Sequence, residues 1–297
     1  MAPECHNTLK RKGCIKVHWE CWSECNLGCP FCYRTMGAPL TTEQALLLLR
    51  VVHTAGVRSI VFAGGDPSIR GDIGQLVSAA RELEMRVEIQ TNAHHVRPEF
   101  LTILRTVDMV GLSLDGEDAE THDQMRQKPG NFQRVVDLLA SLNEAEVPVI
   151  VRTVVTNVNF ARIRGLGDVL TQFQNLRRWS LMQFTPAGMG ALHRATYSID
   201  RASFDSTVSA IKSSFQRQDL VHAYPIEDKP GVYCLVTPDG KVFGTTPTTN
   251  GGLYPVAGNA LTDHISGWAE RLPFDAERHW RRYGADAVRS RPSRAPT

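Results

Sequence analysis

The sequence predicts an α/β protein with a parallel sheet, namely a partial (β/α)6 barrel followed by a small α+β region. Short segments rich in Val, Ile and Leu alternate with longer amphipathic segments from Ile15 to about Phe184. Strands joined by helices in this order form a parallel sheet with right-handed crossovers. Six such units fit either a doubly wound open sheet or an incomplete barrel. Polar motifs after successive strands favour the barrel, because barrel enzymes build their sites at the carboxyl ends of the strands.

The individual elements follow from local periodicity and from turn residues. Thr41 and Thr42 followed by Glu43 are typical of a helix cap, and Gly64 with Gly65 ends the second strand. The predicted strands are Ile15–Trp22, Ser59–Ala63, Val87–Thr91, Met109–Leu114, Val147–Val155 and Trp179–Phe184. The predicted helices are Thr42–Ala55, Ile69–Met85, Pro98–Arg105, Phe132–Glu146 and Phe160–Gln174.

The pattern changes after a predicted helix at Ala202–Gln218. Thr-Pro-Asp-Gly at 237–240 is typical of a hairpin turn between Gly231–Val236 and Lys241–Phe243. A short helix is expected at Thr262–Arg271. We therefore expect an N-terminal extension (1–14), a barrel (15–220), a small cap (221–284) and a flexible tail (285–297).

Composition and charge argue against several classes of partner. The 297 residues carry a formal charge of +2, which gives no electrostatic case for binding nucleic acid or a membrane surface. No segment approaches the run of ~20 apolar residues that a membrane span needs, and the polar Met1–Lys12 has no signal-peptide core. We expect a cytoplasmic protein without nucleic-acid or membrane partners. The Arg-rich Arg281–Arg294 is expected to be solvated.

Six of the seven cysteines lie within the first 32 residues. Such crowding, without a signal peptide, indicates metal or cluster ligation rather than a disulfide scaffold. Cys25, Cys29 and Cys32 have the spacing C-x3-C-x2-C, which can hold three irons of a cubane cluster and leaves the fourth iron open. The alternative is a zinc site with Cys21 or Cys14 as the fourth ligand, in a binding module without catalysis.

The segment Trp19–Tyr33, in which Trp-Glu precedes Cys-Asn-Leu-x-Cys-x-x-Cys-Tyr, resembles the signature of the radical S-adenosylmethionine (SAM) superfamily. It is most similar to the branch with SPASM or twitch C-terminal domains. The resemblance implies a [4Fe-4S] cluster on the three cysteines and chelation of its open iron by SAM. It also implies cleavage of SAM with electrons from a flavodoxin- or ferredoxin-type protein, and hydrogen abstraction from a small-molecule or peptide substrate.

Polar motifs after the next strands resemble the SAM contacts of this family. Gly-Gly-Asp-Pro at 64–67 is similar to the family's Gly-Gly-Glu-Pro, and Gln-Thr-Asn at 90–92 to its Thr-Asn-Gly. Ser-Leu-Asp-Gly at 113–116 resembles a segment near the SAM ribose or the substrate. Arg152 is similar to an arginine that pairs with the SAM carboxylate, and a surface charge is the alternative. The implied cofactor contacts are Phe31, Gly64, Gly65, Asp66, Asn92, Ser113, Asp115, Arg152 and Gln183.

Residues 234–268 resemble a shortened SPASM or twitch region that lacks the cysteines of an auxiliary cluster. Oxidation of a substrate radical needs an electron acceptor, whereas a free thiol can return a hydrogen atom. We therefore expect a radical epimerase with Cys234 as the hydrogen donor, and a buried, inert Cys234 is the alternative. A dehydrogenase or a peptide-modifying maturase is the alternative reaction.

The remaining cysteines and the substrate class are less constrained. Cys5, Cys14, Cys21 and Cys234 are four in number, so a second shared cluster is arithmetically possible, although Cys14 and Cys21 bracket a strand. We expect Cys5→Ala to be nearly silent in cluster binding and SAM cleavage.

We see no winged-helix leader-binding domain before the predicted barrel, which weakly disfavours a ribosomal peptide as the substrate. We expect a natural product such as a sugar-containing antibiotic to fit at least as well.

Overall fold

The computed structural model describes residues 8–245 and 255–288, and Cys5 lies outside them. One mixed sheet of ten strands forms the centre of the molecule. The strands are β1 Lys16–Trp22, β2 Ser59–Gly64, β3 Arg86–Thr91, β4 Met109–Ser113, β5 Val149–Val155, β6 Leu176–Gln183, β7 Val221–Tyr224, β8 Cys234–Val236, β9 Lys241–Gly244 and β10 Val256–Asn259. Their order across the sheet is β10-β9-β8-β1-β2-β3-β4-β5-β6-β7.

The strands β1 to β7 pair in sequence order, and every pair is parallel. Helices connect most of them, as right-handed crossovers require. The sheet curves into a barrel wall that is not closed, so the predicted partial barrel is confirmed. The carboxyl ends of these strands all lie at one rim, where the polar motifs follow them.

Three of the helices that cover the sheet begin at a side-chain cap. Thr41 and Gln44 form a reciprocal capping box at the second helix, and Asp118 and Asp200 cap two later ones. The helices are α1 Thr8–Arg11, α2 Thr42–Thr54, α3 Ile73–Glu82, α4 Pro98–Leu104, α5 Ala119–Arg126, α6 Asn131–Glu144, α7 Leu166–Thr171, α8 Met189–Leu192, α9 Arg194–Tyr197, α10 Arg201–Ser214, α11 Ile265–Arg271 and α12 Ala276–Val288.

Strand β1 shows how the sequence divides the two faces of the wall. Val17, Trp19 and Cys21 belong to the apolar core, which packs between the sheet and its helices. The alternate residues Lys16 and His18 are also buried, but they meet polar partners inside the barrel. Because side chains of a strand alternate between faces, the inward positions create a polar interior.

Two predicted helices are shorter in the structure. The helix expected at Ile69–Met85 begins only at Ile73, because the Arg70 guanidinium turns inward to the carbonyls of Cys21 and Leu40. The helix expected at Phe160–Gln174 is reduced to Leu166–Thr171. It follows a 3-10 turn whose Gly165 amide donates to Glu117 Oε2 at 2.8 Å.

The region after residue 220 adds four strands to the same sheet. The short strand β7, which was not predicted, pairs with β6. The predicted hairpin is present as antiparallel β8 and β9, and β8 also pairs in parallel with β1. The chain therefore extends the barrel wall from both edges.

None of the helices within residues 8–245 and 255–288 is long and apolar enough to cross a membrane.

Candidate active site

Two adjoining cavities lie at the carboxyl ends of the strands and inside the barrel. The cluster cavity, named for the cysteine loop that lines it, has a volume of 230 Å³ and also contacts the ends of β2 and β3. The inner cavity has a volume of 200 Å³ and lies between the inward residues of β1 and β3 to β8. The residues shared by both walls are Cys29, Cys32, Tyr33, Gln90, Ser113 and Arg126.

Cys25, Cys29 and Cys32 all line the cluster cavity. The Cys32 amide donates to the Cys29 carbonyl at 3.2 Å, which folds the loop into a tight turn. Asn92 Nδ2 lies 3.5 Å from Cys25 Sγ, and Arg126 Nη1 lies 3.8 Å from Cys29 Sγ. Three sulfur atoms around one cavity, with N–H groups beside them, suit the thiolate ligands of an iron–sulfur cluster.

The zinc alternative has no geometric support. Within the described residues, no three His, Cys, Asp or Glu side chains converge on a single ion. In a cubane each thiolate binds a different iron, so its cysteines stand further apart. Cys14 and Cys21 are fully buried in the apolar core and line neither cavity. Neither of these two cysteines is therefore placed to serve as the fourth zinc ligand beside the loop.

The loop thiols lie in a partly desolvated setting. Burial raises the pKa of Cys32 to about 11 and the pKa of Cys25 above its ordinary value. Thiols bind iron as thiolates, so loading of the cluster must release these protons.

Gly64 and Gly65 fasten the loop after β2 to the start of the cluster loop. The Gly65 amide donates to the Trp22 carbonyl at 2.6 Å. A Cβ atom on Gly65 would lie 1.7 Å from the Glu24 carbonyl oxygen, and one on Gly64 would lie 2.2 Å from the Trp22 carbonyl oxygen. Both positions therefore require glycine for close packing, and both line the cluster cavity.

Asp66 and Asn92 brace this part of the rim. The buried Asp66 carboxylate accepts hydrogen bonds from the Ser68 amide at 2.9 Å, the Asn92 amide at 2.7 Å and the Thr91 hydroxyl at 3.0 Å. The Asn92 side chain donates to Asn26 Oδ1 at 2.8 Å. Both residues line the cluster cavity, and their hydrogen bonds tie the ends of β2 and β3 to the cysteine loop.

Ser113 is the last residue of β4 and Asp115 follows the strand, and the two occupy different places. Ser113 lines both cavities. Asp115 is fully buried behind the wall, where it accepts from the Val154 amide at 2.8 Å and pairs with Arg126 Nη2 at 2.5 Å. No site role was predicted for Arg126 from the sequence. Its position four residues after His122, about one turn further along α5, could have indicated one.

Arg126 is held charged at the junction of the two cavities. Burial alone would lower its pKa, but Asp115 and Cys29 raise the pKa above its ordinary value. The guanidinium also lies 5.2 Å from the centre of the Phe31 ring, within cation–π range. It thus places positive charge beside the thiol of Cys29.

Phe31 and Gln183 lie on the wall of the inner cavity. Phe31 packs against Tyr197, with 5.8 Å between ring centres. The Gln183 side chain donates to the Ile199 carbonyl at 3.0 Å and accepts from the Ile226 amide at 3.0 Å. Those bonds join the end of β6 to the segments that follow it.

Arg152 points into the inner cavity from β5. Its Nη2 pairs with the buried Glu88, which Lys16 Nζ also approaches at 3.2 Å. Burial alone would raise the pKa of Glu88, but Arg152 and Lys16 lower it below its usual range. Arg152 Nη1 is buried without a hydrogen-bond partner among the described residues, which leaves one edge of the guanidinium unpaired there.

The far side of the inner cavity carries residues that sequence reasoning missed. Lys229 Nζ donates to the Gln183 carbonyl at 2.6 Å and to Thr185 Oγ1 at 2.5 Å. Burial and the nearby Arg282 lower the pKa of Lys229 to about 7. His18 Nε2 lies 2.9 Å from the Tyr283 hydroxyl on α12. No motif of the sequence linked these positions to the cysteine loop.

The structure does not bring Cys234 to either cavity, which corrects the expected donor role. Its neighbours Tyr233 and Leu235 line the inner cavity, whereas Cys234 faces the opposite side of the sheet. There it is fully buried in the apolar core beside Cys14. Strand alternation therefore makes Cys234 a packing residue. A second cluster shared by Cys14, Cys21 and Cys234 is likewise unsupported, because Cys21 contacts the Ala63 carbonyl instead.

The sequence profile of the radical SAM superfamily matches residues 19–168, about half of the chain. The chain belongs to the radical SAM superfamily. Radical SAM proteins use a [4Fe-4S] cluster and SAM, and all residues that line the cluster cavity except Met189 lie within the matched region.

Two curated relatives and one solved structure illustrate the range of this superfamily. The AdoMet-dependent heme synthase of Methanosarcina barkeri is 32% identical over 154 residues, covering 50% of this chain and 44% of the relative. The sporulation killing factor maturation protein SkfB of Bacillus subtilis is 32% identical over 157 residues, covering 51% of this chain and 37% of that protein. The chain thus spans less than half the length of these two relatives.

The fold extends beyond the matched region. SuiB of Streptococcus suis, solved with bound SAM, superimposes with a TM-score of 0.70 at 17% identity. The match covers 96% of this chain and 71% of SuiB. At this identity the likeness concerns the fold alone.

Proposed function

We propose that this radical SAM enzyme holds its cluster on Cys25, Cys29 and Cys32 and abstracts a hydrogen atom from a substrate in the inner cavity. The observation that carries the proposal is the shared wall, in which Cys29 and Cys32 line both cavities. When bound and reduced, the cluster and SAM would supply a 5′-deoxyadenosyl radical. The protein's own residues position the cofactors and exclude water.

Each group of residues has a distinct part in this proposal. Gly64 and Gly65 would let the backbone approach the methionine end of SAM, while Asp66 and Asn92 hold the rim rigid. The free edge of Arg152 suits a carboxylate. Arg126 would stabilise negative charge at Cys29. Phe31 offers an apolar face for an aromatic group.

The inner cavity suits a small molecule or a single side chain of a peptide. Its volume of 200 Å³ is lined by residues of the barrel strands and by Arg282 and Tyr283 of α12. Among the relatives, SkfB is named for maturation of a killing factor and another for heme synthesis, which supports either kind of substrate. Electrons would come from a flavodoxin- or ferredoxin-type protein.

The direct test uses anaerobically reconstituted protein, SAM and dithionite. We expect formation of 5′-deoxyadenosine at a rate that depends on the cluster. Protein with full iron and sulfide content that leaves SAM intact would contradict the proposal. Epimerisation, which the sequence led us to expect, is tested separately by running the reaction in deuterium oxide. An epimerase places one solvent deuterium at the inverted carbon.

A further inference from the structure

Two cations of the inner cavity have no carboxylate partner among the described residues. Lys229 donates to two neutral oxygen atoms, the Gln183 carbonyl and the Thr185 hydroxyl. The Arg282 guanidinium lies against aromatic rings, with its Cζ 3.5 Å from the centre of Tyr224 and 4.7 Å from that of Tyr233. Both side chains line the inner cavity and neither lines the cluster cavity.

Two other cations of this cavity, Arg126 and Arg152, have carboxylate partners. Arg126 pairs with Asp115, Arg152 pairs with Glu88 inside the barrel, and both carboxylates are buried. No Asp or Glu of the described residues lines the inner cavity itself. Lys229 and Arg282 line the same cavity, where burial lowers the pKa of Lys229 and repulsion by Arg282 lowers it further, against a smaller opposite effect of Glu227. An anion between them would remove that repulsion.

We propose that Lys229 and Arg282 bind an oxyanion group of the substrate, a carboxylate or a phosphate. The inference rests on the proposed function, because it takes the inner cavity to be the substrate site. Ammonium and guanidinium groups both form charge-assisted hydrogen bonds to such oxygens. Tyr224 and Tyr233 would flank the bound group. Cys29 and Cys32 line the same cavity, so a substrate anchored at Lys229 and Arg282 would extend toward the cluster cavity.

The test measures binding of three small probes to the reconstituted enzyme with SAM present. Phenyl phosphate and phenylacetate carry the two kinds of oxyanion, and phenylacetamide is the neutral counterpart of the second. The titration is done by calorimetry in slightly acidic buffer, in which Lys229 is protonated. The variants are Lys229→Met and Arg282→Met. Arg278→Met is the matched control, because Arg278 is an exposed arginine on the same helix as Arg282 and pairs with Asp275.

We expect at least one oxyanion to bind more tightly than the amide, and each cavity variant to lose about tenfold or more in affinity. Arg278→Met should bind as the wild type does. Lys229→Arg, which keeps the charge, should recover most of the affinity, and this separates charge from folding. Tighter binding of phenyl phosphate would assign a phosphorylated substrate, and tighter binding of phenylacetate a carboxylate substrate.

The proposal is overturned if neither oxyanion binds, if the amide binds equally well, or if both cavity variants bind as the wild type does. Formation of 5′-deoxyadenosine from SAM without any probe is followed in the same samples. Its absence would overturn the proposed function, whereas its presence with no anion binding would overturn this inference alone.

Discussion

Asp115 and Arg126 form a buried ion pair at the junction of the two cavities, where Arg126 lines both of them. Asp115 is fully buried and Arg126 is 11% exposed, and the pair is bridged at 2.5 Å. The guanidinium reaches from this carboxylate to the sulfur of Cys29 and the ring of Phe31. At the residue scale, this arginine connects a motif at the end of β4 with the cluster loop.

Asp115→Asn should therefore strongly destabilise the fold. Removal of one partner of a buried ion pair leaves an uncompensated charge and costs about 3–5 kcal/mol. Arg162→Met is the control, since Arg162 and Asp118 form an exposed pair, 46% and 42% accessible, worth only about 0–1 kcal/mol. Urea unfolding of the purified variants measures both values. Equal losses in the two variants would contradict the role given to Asp115.

Cys234→Ala tests the correction made for that residue. We expect SAM cleavage and the product to be unchanged, because Cys234 lines neither cavity. Removing its buried sulfur should lower the free energy of unfolding by about 1 kcal/mol, as expected for a small apolar group. Product analysis and thermal unfolding provide the two readouts. A variant that forms 5′-deoxyadenosine but loses its product would restore the donor role.

At the scale of elements, the loop after β2 and the cluster loop after β1 form one unit. Gly65 and Asp66 donate backbone hydrogen bonds to the carbonyls of Trp22 and Glu24. The cysteine loop therefore takes its shape from a neighbouring loop some forty residues further along the chain.

Gly65→Ala should disrupt this unit, because its Cβ atom would overlap the Glu24 carbonyl oxygen at 1.7 Å. We expect iron content to fall together with a loss of about 1–3 kcal/mol in stability. Gly28→Ala is a matched control within the cysteine motif, where an added Cβ meets no atom within 4 Å. Iron content after reconstitution measures the difference. Full iron loading of Gly65→Ala would show that the loops do not depend on each other.

The elements that the sequence predicted best are those with strong local signals. The strands β2 and β5 contain consecutive Val and Ile residues, and the helix α2 begins at a capping box. The strand β7 was missed because its four residues, Val221–Tyr224, are too few to show a period. The helix α7 was predicted to be longer than it is. The periodic pattern of residues 160–174 does not reveal the turn before α7 that Glu117 stabilises.

At the scale of the whole molecule, the site depends on contacts between distant parts of the chain. The three cysteines and the two glycines could be predicted, because each motif is local and follows a strand. The pairing of β8 with β1 and the insertion of Arg282 and Tyr283 from α12 could not, since no local pattern encodes them. The placement of Cys234 was missed for the same reason, because its face depends on the register of β8.

Both ends of the parallel wall formed by β1 to β7 contribute to the inner cavity. The strand β7 lies at one edge of the sheet and β8 lies next to β1, yet Tyr224 and Tyr233 line the same cavity. Arg282 contacts both rings. The helix α12 thus closes the open side of the barrel where the substrate is proposed to bind.

The most direct test of the central claim is the iron and sulfide content of the anaerobically reconstituted protein, with its electron paramagnetic resonance spectrum after reduction. We predict a [4Fe-4S] signal that shifts on addition of SAM, and its loss in Cys25→Ala, Cys29→Ala and Cys32→Ala. Cys21→Ala, which removes a buried thiol outside both cavities, should keep the signal. A SAM-responsive cluster that survives in any of the three loop variants would contradict the account.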